Sequence, residues 1–205
     1  MEPTPLFPLA RALFPDGVLH LRIFEVRYLD MIKKCIADGS GFGVVPLLEG
    51  SEVRVPGASE TLAQAGTMAR IEAWEAPMPA LLQLRCLGVG KFRLAAPRQL
   101  RHGLWVGETE PVPSDTPVEL PPGLQAAADA LGRFIASLQR GGVAAAEMPI
   151  APPFRLDECG WVADRWAELL PLPPQRKQEL LLQEDPAQRL REMHAELDRR
   201  GLLAP

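Results

Sequence analysis

A chain of 205 residues in which 47% of side chains are apolar can fill a core of its own, which excludes disorder as its overall state. A formal charge of −4, with both signs spread along the whole length, sets up no field that would gather nucleic acid or an anionic membrane. Three widely separated cysteines, Cys35, Cys86 and Cys159, contain no CxxC pair, which argues against a disulfide framework or a zinc site and fits a reducing cytoplasm.

The opening "MEPTPLFPLARALFPDG" carries an acid where a secretory leader would be basic, and prolines and Arg11 interrupt its apolar run, so no leader is expected. The longest stretch without a charged residue runs only from Gly39 to Leu48, far short of the roughly 20 residues that span a bilayer. "VLHLRIF" is a dense β-type run, and a helix follows it. Helical spacing from Glu25 puts Tyr28, Leu29, Ile32, Cys35 and Ile36 on an apolar side and Arg27, Asp30, Lys33, Lys34 and Asp38 on a wet side. Arg22, Glu25 and Tyr28 therefore read as a structural joint between strand and helix. Glu25 is expected to sit in the first helical turn, near the free amides and the positive end of the dipole, and to pair with Arg22.

"FGVVPLL" is the next strand, and the turn-rich "EGSEVRVPGASE" follows it. Strict alternation then sets in. Ile71 and Ala73 share one face and Arg70, Glu72 and Trp74 the other; Leu82, Leu84 and Cys86 oppose Gln83 and Arg85; Phe92 and Leu94 oppose Lys91 and Arg93. One buried and one wet face per strand predict an antiparallel sheet curled into a small barrel or sandwich. Trp74 should point away from the barrel core, either under the helical half or into solvent as a binding aromatic, and it is the candidate peptide-binding residue.

"GVGKF" lacks the earlier glycine and the Ser or Thr of a phosphate-binding loop, so Gly88 and Gly90 are read as a bend or bulge. Five basic residues, Arg85, Lys91, Arg93, Arg98 and Arg101, fall in a stretch with no acid and form a candidate RNA-binding face. No stacking aromatics interleave with them, which favours a solvated sheet face. His20, His102 and His194 lie in different elements, and no serine has a nucleophile setting. No catalytic residue, cofactor or metal is expected.

The proline-rich "PVPSDTPVELPPG" divides a β-barrel half, residues 1–115, from a helical half, residues 116–205. Leu124, Ala127, Ala128, Leu131, Phe134, Ile135 and Leu138 recur at amphipathic-helix spacing, ended by Gly141 and Gly142. A second helix starts near Asp157, with Trp161, Val162, Trp166, Leu169 and Leu170 inward, and "PQRKQELLLQE" is a third. The fourth has Asp185 as N-cap, Pro186 in its first turn, Gly201 after its last, and Leu190, Met193 and Leu197 as its stripe.

"PLFPLARALFPDGVLHLRIFEVRYLDMI" resembles the opening of the N-terminal, substrate-binding domain of the ATP-dependent Lon protease. "FGVV", "GTMARI" and "GVGKFRL" match the strands that follow, and "LPLPPQRKQELLLQEDPAQRLREM" its helical end. The chain departs from the family pattern at His20, Val26 and "EAPMPA", and it ends at Pro205 without ATPase or protease sequence. The resemblance implies an α+β fold: a small antiparallel PUA-like β-barrel with one inserted helix, packed against a C-terminal helical bundle. It also implies a cytoplasmic, non-enzymatic protein that binds exposed apolar polypeptide segments, as an adaptor or holdase, with a partner ATPase or protease. RNA binding through the basic face is the rival reading.

Overall fold

The computed structural model of the chain describes residues 3–52 and 59–203, so the turn-rich stretch expected over Glu49–Glu60 falls partly outside the described residues. In chain order the main elements are β1 (Thr4–Leu9), β2 (Val18–Ile23), α1 (Val26–Asp38), β3 (Phe42–Glu49), β4 (Thr61–Leu62), β5 (Ala65–Met78), β6 (Leu81–Gln99), β7 (Trp105–Pro111), α2 (Gln125–Arg140), α3 (Cys159–Leu169), α4 (Pro174–Leu182) and α5 (Pro186–Arg199). They form two compact units. The first comprises residues up to Pro113 with Pro173–Leu182, the second Ser114–Leu172 with residues from Gln183 on.

In the first unit the strand pairings close on themselves. β1 pairs with β7, β7 with β6, β6 with β5 and β5 with β3, all antiparallel, and β3 returns to β1 in parallel. The parallel pair is the one departure from the expected antiparallel sheet. Its cause is the connection: β2 and α1 intervene between β1 and β3, a crossover that a hairpin could not supply. Leu82, Leu84 and Cys86 of β6, Leu19, Leu21 and Ile23 of β2, and Tyr28, Leu29, Ile32 and Cys35 of α1 share one core cluster. A second cluster gathers Leu6, Val45, Ala63, Phe92 and Leu94.

β6 runs unbroken through the predicted bend. Opposite Met68 and Ala69 it presents Gly90 and Gly88, so Val89 is the extra residue of a bulge. Gly88 has to be a glycine because an added Cβ would sit 2.2 Å from the Phe14 carbonyl oxygen. Its own main chain is bonded to the turn that leads into β2, with Asp16 N donating to Gly88 O at 2.8 Å and Gly88 N to Gly17 O at 2.9 Å.

α4, expected within the helical half, packs on β3 and β5. Leu180 and Leu181 are buried there, and Gln178 Oε1 accepts the Gln64 amide at 2.6 Å. In the second unit α5 is capped as its sequence predicts, Asp185 accepting from Ala187 N at 2.9 Å and Gln188 N at 3.1 Å. α3 is buried on every side from Cys159 to Ala167, with Asp164 and Arg165 included. Arg189 of α5, itself fully buried, pairs with Asp164 at 2.9 Å and with Asp115, and donates to Gln183 O at 2.6 Å.

Candidate functional site

At the joint between β2 and α1 the contacts differ from those the spacing suggests. Glu25 precedes the first helical turn in an extended conformation, and its carbonyl accepts Leu29 N at 2.9 Å, while its carboxylate makes no cap bond. That carboxylate accepts from Arg27 Nε at 3.1 Å, so Arg27, and not Arg22, is its partner. Arg27 leaves the wet side to which helical spacing assigns it because this turn of the helix lies against the turn before β7. Its Nη1 donates to Gly103 O at 2.8 Å, and its guanidinium lies 4.4 Å over the Tyr28 ring. Tyr28 is a core residue stacked on Phe7, with ring centroids 4.2 Å apart, and burial holds its hydroxyl protonated far above the ordinary tyrosine range.

Glu25→Ala should lower stability by about 1–3 kcal/mol, because it leaves the buried Arg27 without its charge partner. Chemical denaturation measures this directly. An unchanged unfolding midpoint would dismiss the joint as a structural element.

The surface beside this joint is apolar. Phe24 and Val26 flank Glu25 and are 58% and 71% exposed. Between the end of β1 and the edge of β2 lies a cavity of about 280 Å³, with Phe7, Leu9, Leu21, Ile23 and Tyr28 in its lining and Arg11, Arg22, Glu25 and Glu52 around it.

A second apolar surface is the arm formed by the far ends of β5 and β6. Every residue from Glu72 to Ala80 is exposed, Trp74 by 53% and Met78 by 59%, and Ala80 turns the arm at a φ of 60°. Trp74 is not on the face that alternation gives it. A register shift between Ile71 and Ala73 places it opposite Leu84, so beyond the bulge it shares the face of Ile71 and Leu84 instead of that of Arg70. It is exposed although Leu84, opposite it, is buried.

The five basic residues do not form one open row. Lys91 is buried, Arg85 is half-buried, and only Arg93, Arg98 and Arg101 are exposed. β7 also brings acids alongside, with Glu110 opposite Arg93 and Glu108 opposite Ala95. The alternation argument sees β6 alone and misses these cross-strand acids. All three thiols are buried, and burial pushes that of Cys86 up to about 12 and raises Cys35 and Cys159, so none is a ready nucleophile. Among the described residues no group of three His, Cys, Asp or Glu side chains could hold a metal ion, and no helix is long and apolar enough to cross a membrane.

A model of the ATP-dependent protease La (LON) substrate-binding domain matches residues 3–199. The chain belongs to that family. Among solved structures, a Lon N-terminal domain protein from Xanthomonas campestris is 33% identical with a TM-score of 0.71, over 95% of this chain and 98% of that one. The N-terminal domain of a Mycobacterium avium complex Lon protease shares the fold at 17% identity and a TM-score of 0.57, over 96% of this chain and 97% of that one. No curated protein matches. The α+β architecture anticipated from the sequence is that of these Lon domains, and the family's role is substrate recognition. Phe24, Val26 and Met78 are apolar residues of this domain that alternation and helical spacing leave unassigned. Phe24 was legible as the apolar residue just past β2, in phase with exposed His20 and Arg22.

Proposed function

We propose that this Lon substrate-binding domain holds exposed apolar segments of other polypeptides without performing chemistry on them. It would act as an adaptor or holdase beside an ATPase or protease that processes what it holds. The observation that carries this reading is the arm. Trp74 and Met78 stand exposed along it, and tryptophan is among the side chains most enriched at the anchoring points of protein interfaces. Phe24 and Val26 add apolar surface within the same unit. Three buried thiols in no disulfide fit residence in the cytoplasm.

Fluorescence anisotropy with labelled, permanently unfolded casein tests it. Trp74→Ala should weaken binding by about 1–3 kcal/mol. Reversing Arg85 and Arg93 to Glu should leave casein binding unchanged, whereas an RNA-binding domain would lose a strongly salt-dependent association on that double reversal. Casein affinity equal to the parent's in Trp74→Ala would remove the arm from the site.

A further inference from the structure

We propose that the outer edge of β2 receives an extended client segment as an added strand, and that Arg22 selects segments with an acidic residue. The proposal rests on the polypeptide-binding reading and names its mode and chemistry.

β2 pairs with β6 from Val18↔Leu87 to Ile23↔Leu82, and among the described residues no second strand pairs with it. The bonding phase follows from the preceding residue. Gly88 N donates to Gly17 O at 2.9 Å, so Leu19, Leu21 and Ile23 direct their main-chain groups toward β6, while Val18, His20 and Arg22 direct theirs outward. The outward carbonyl of His20 fits this phase, since it accepts from Arg11 Nη2 at 3.1 Å, a side chain standing where a neighbouring strand's amide would stand. The amide and carbonyl of Arg22 lie on the same edge, one strand repeat further on.

The edge opens on the 280 Å³ cavity floored by the Phe7–Tyr28 stack, large enough for one apolar side chain of a strand lying along β2. Strand addition works in this way, with main-chain bonds for affinity and a pocket for alternate side chains. Charge decides the occupant. Of the rim acids, Glu25 is committed to Arg27, and Glu52 accepts the Ala10 amide at 2.6 Å. Of the cations, Arg11 holds the His20 carbonyl and is freed when an incoming strand takes that acceptor, and Arg22 is exposed with no acid partner among the described residues. The uncommitted charge at the groove is positive, which favours a client segment alternating apolar and acidic residues. It disfavours a second copy of this chain, whose own β2 would bring another Arg22.

The probe is an end-blocked, fluorescein-labelled decapeptide of alternating valine and glutamate, compared with its valine–lysine counterpart and with two versions methylated on alternate main-chain nitrogens. The parent should bind the glutamate peptide roughly tenfold tighter than the lysine peptide, and Arg22→Glu should invert that order. One methylation register should weaken binding by about tenfold or more and the other should leave it intact, because an added strand spends only every second amide on its neighbour. Arg22→Glu should melt like the parent, since Arg22 is exposed and its side chain has no acid partner among the described residues.

Equal effects of both registers, or no inversion by Arg22→Glu while unfolded casein still binds in a Trp74-dependent way, would overturn the β2 edge and leave the polypeptide-binding reading standing. Failure of both casein and peptide to bind would overturn both. Concentration-dependent dimerisation abolished by Arg22→Glu would assign the edge to a second copy and overturn the client proposal.

Discussion

Asp164→Ala should destabilise the helical unit by about 3–5 kcal/mol, a loss on the scale of much of a domain's net stability. Asp164 and Arg189 are both buried and meet at 2.9 Å, with Asp115 on a second side of the guanidinium and the Gln183 carbonyl on a third. Removing Asp164 leaves the buried guanidinium with Asp115 as its one remaining carboxylate in these contacts and no water to turn to on the vacated side, and the cost is mainly the burial of charge that Asp164 no longer offsets. A double change tests this. Asp164→Leu with Arg189→Met replaces the pair by apolar groups of similar size and should recover part of the loss, since both buried charges go together while half-buried Asp115 and the Gln183 carbonyl give up the guanidinium they shared. Denaturant unfolding with an unchanged slope measures both variants. If the double variant is no more stable than Asp164→Ala, the pair holds α3 and α5 together by some geometry that apolar packing cannot replace.

This pair also marks where the sequence stops being informative. Within "WVADRWAELL" the spacing of Trp161, Val162, Trp166, Leu169 and Leu170 predicts an amphipathic helix, and the helix is there. The same spacing leaves Asp164 off that stripe and places Arg165 within it, between Trp161 and Leu169, and in neither case says what a buried charge would meet. The partner of Asp164 sits on another helix, at Arg189, and no local pattern links them. Arg27 fails the test in the same way: its burial depends on the Gly103 carbonyl, 76 residues on. The strands tell a similar story. Alternation places Leu82, Leu84 and Cys86 inward correctly, yet it loses phase where a bulge inserts a residue, and Trp74 lies just past such a point. Period-based readings hold where pairing is regular. At bulges, and at charges whose partners are distant in the chain, the deciding interaction is tertiary.

Gly88 and Gly90 offer the clearest contrast in the molecule, since they flank the same bulged Val89 and should respond in opposite ways. Gly88→Ala should cost about 3–4 kcal/mol: the new methyl would fall 2.2 Å from a backbone oxygen that no rotamer change can move, and shifting it strains the two main-chain bonds that hold the turn at Asp16 and Gly17. Gly90→Ala has nothing within 4 Å of the added carbon and should stay within about 0.5 kcal/mol of the parent. The consequence reaches function, because that turn feeds directly into β2 and sets where its outer edge lies. At a temperature where both variants remain folded, Gly88→Ala should therefore weaken the valine–glutamate peptide while Gly90→Ala binds it normally. Equal melting temperatures for the two variants would mean that the approach of Gly88 to Phe14 is loose enough to relax, and that β2 is positioned by its pairing with β6 alone.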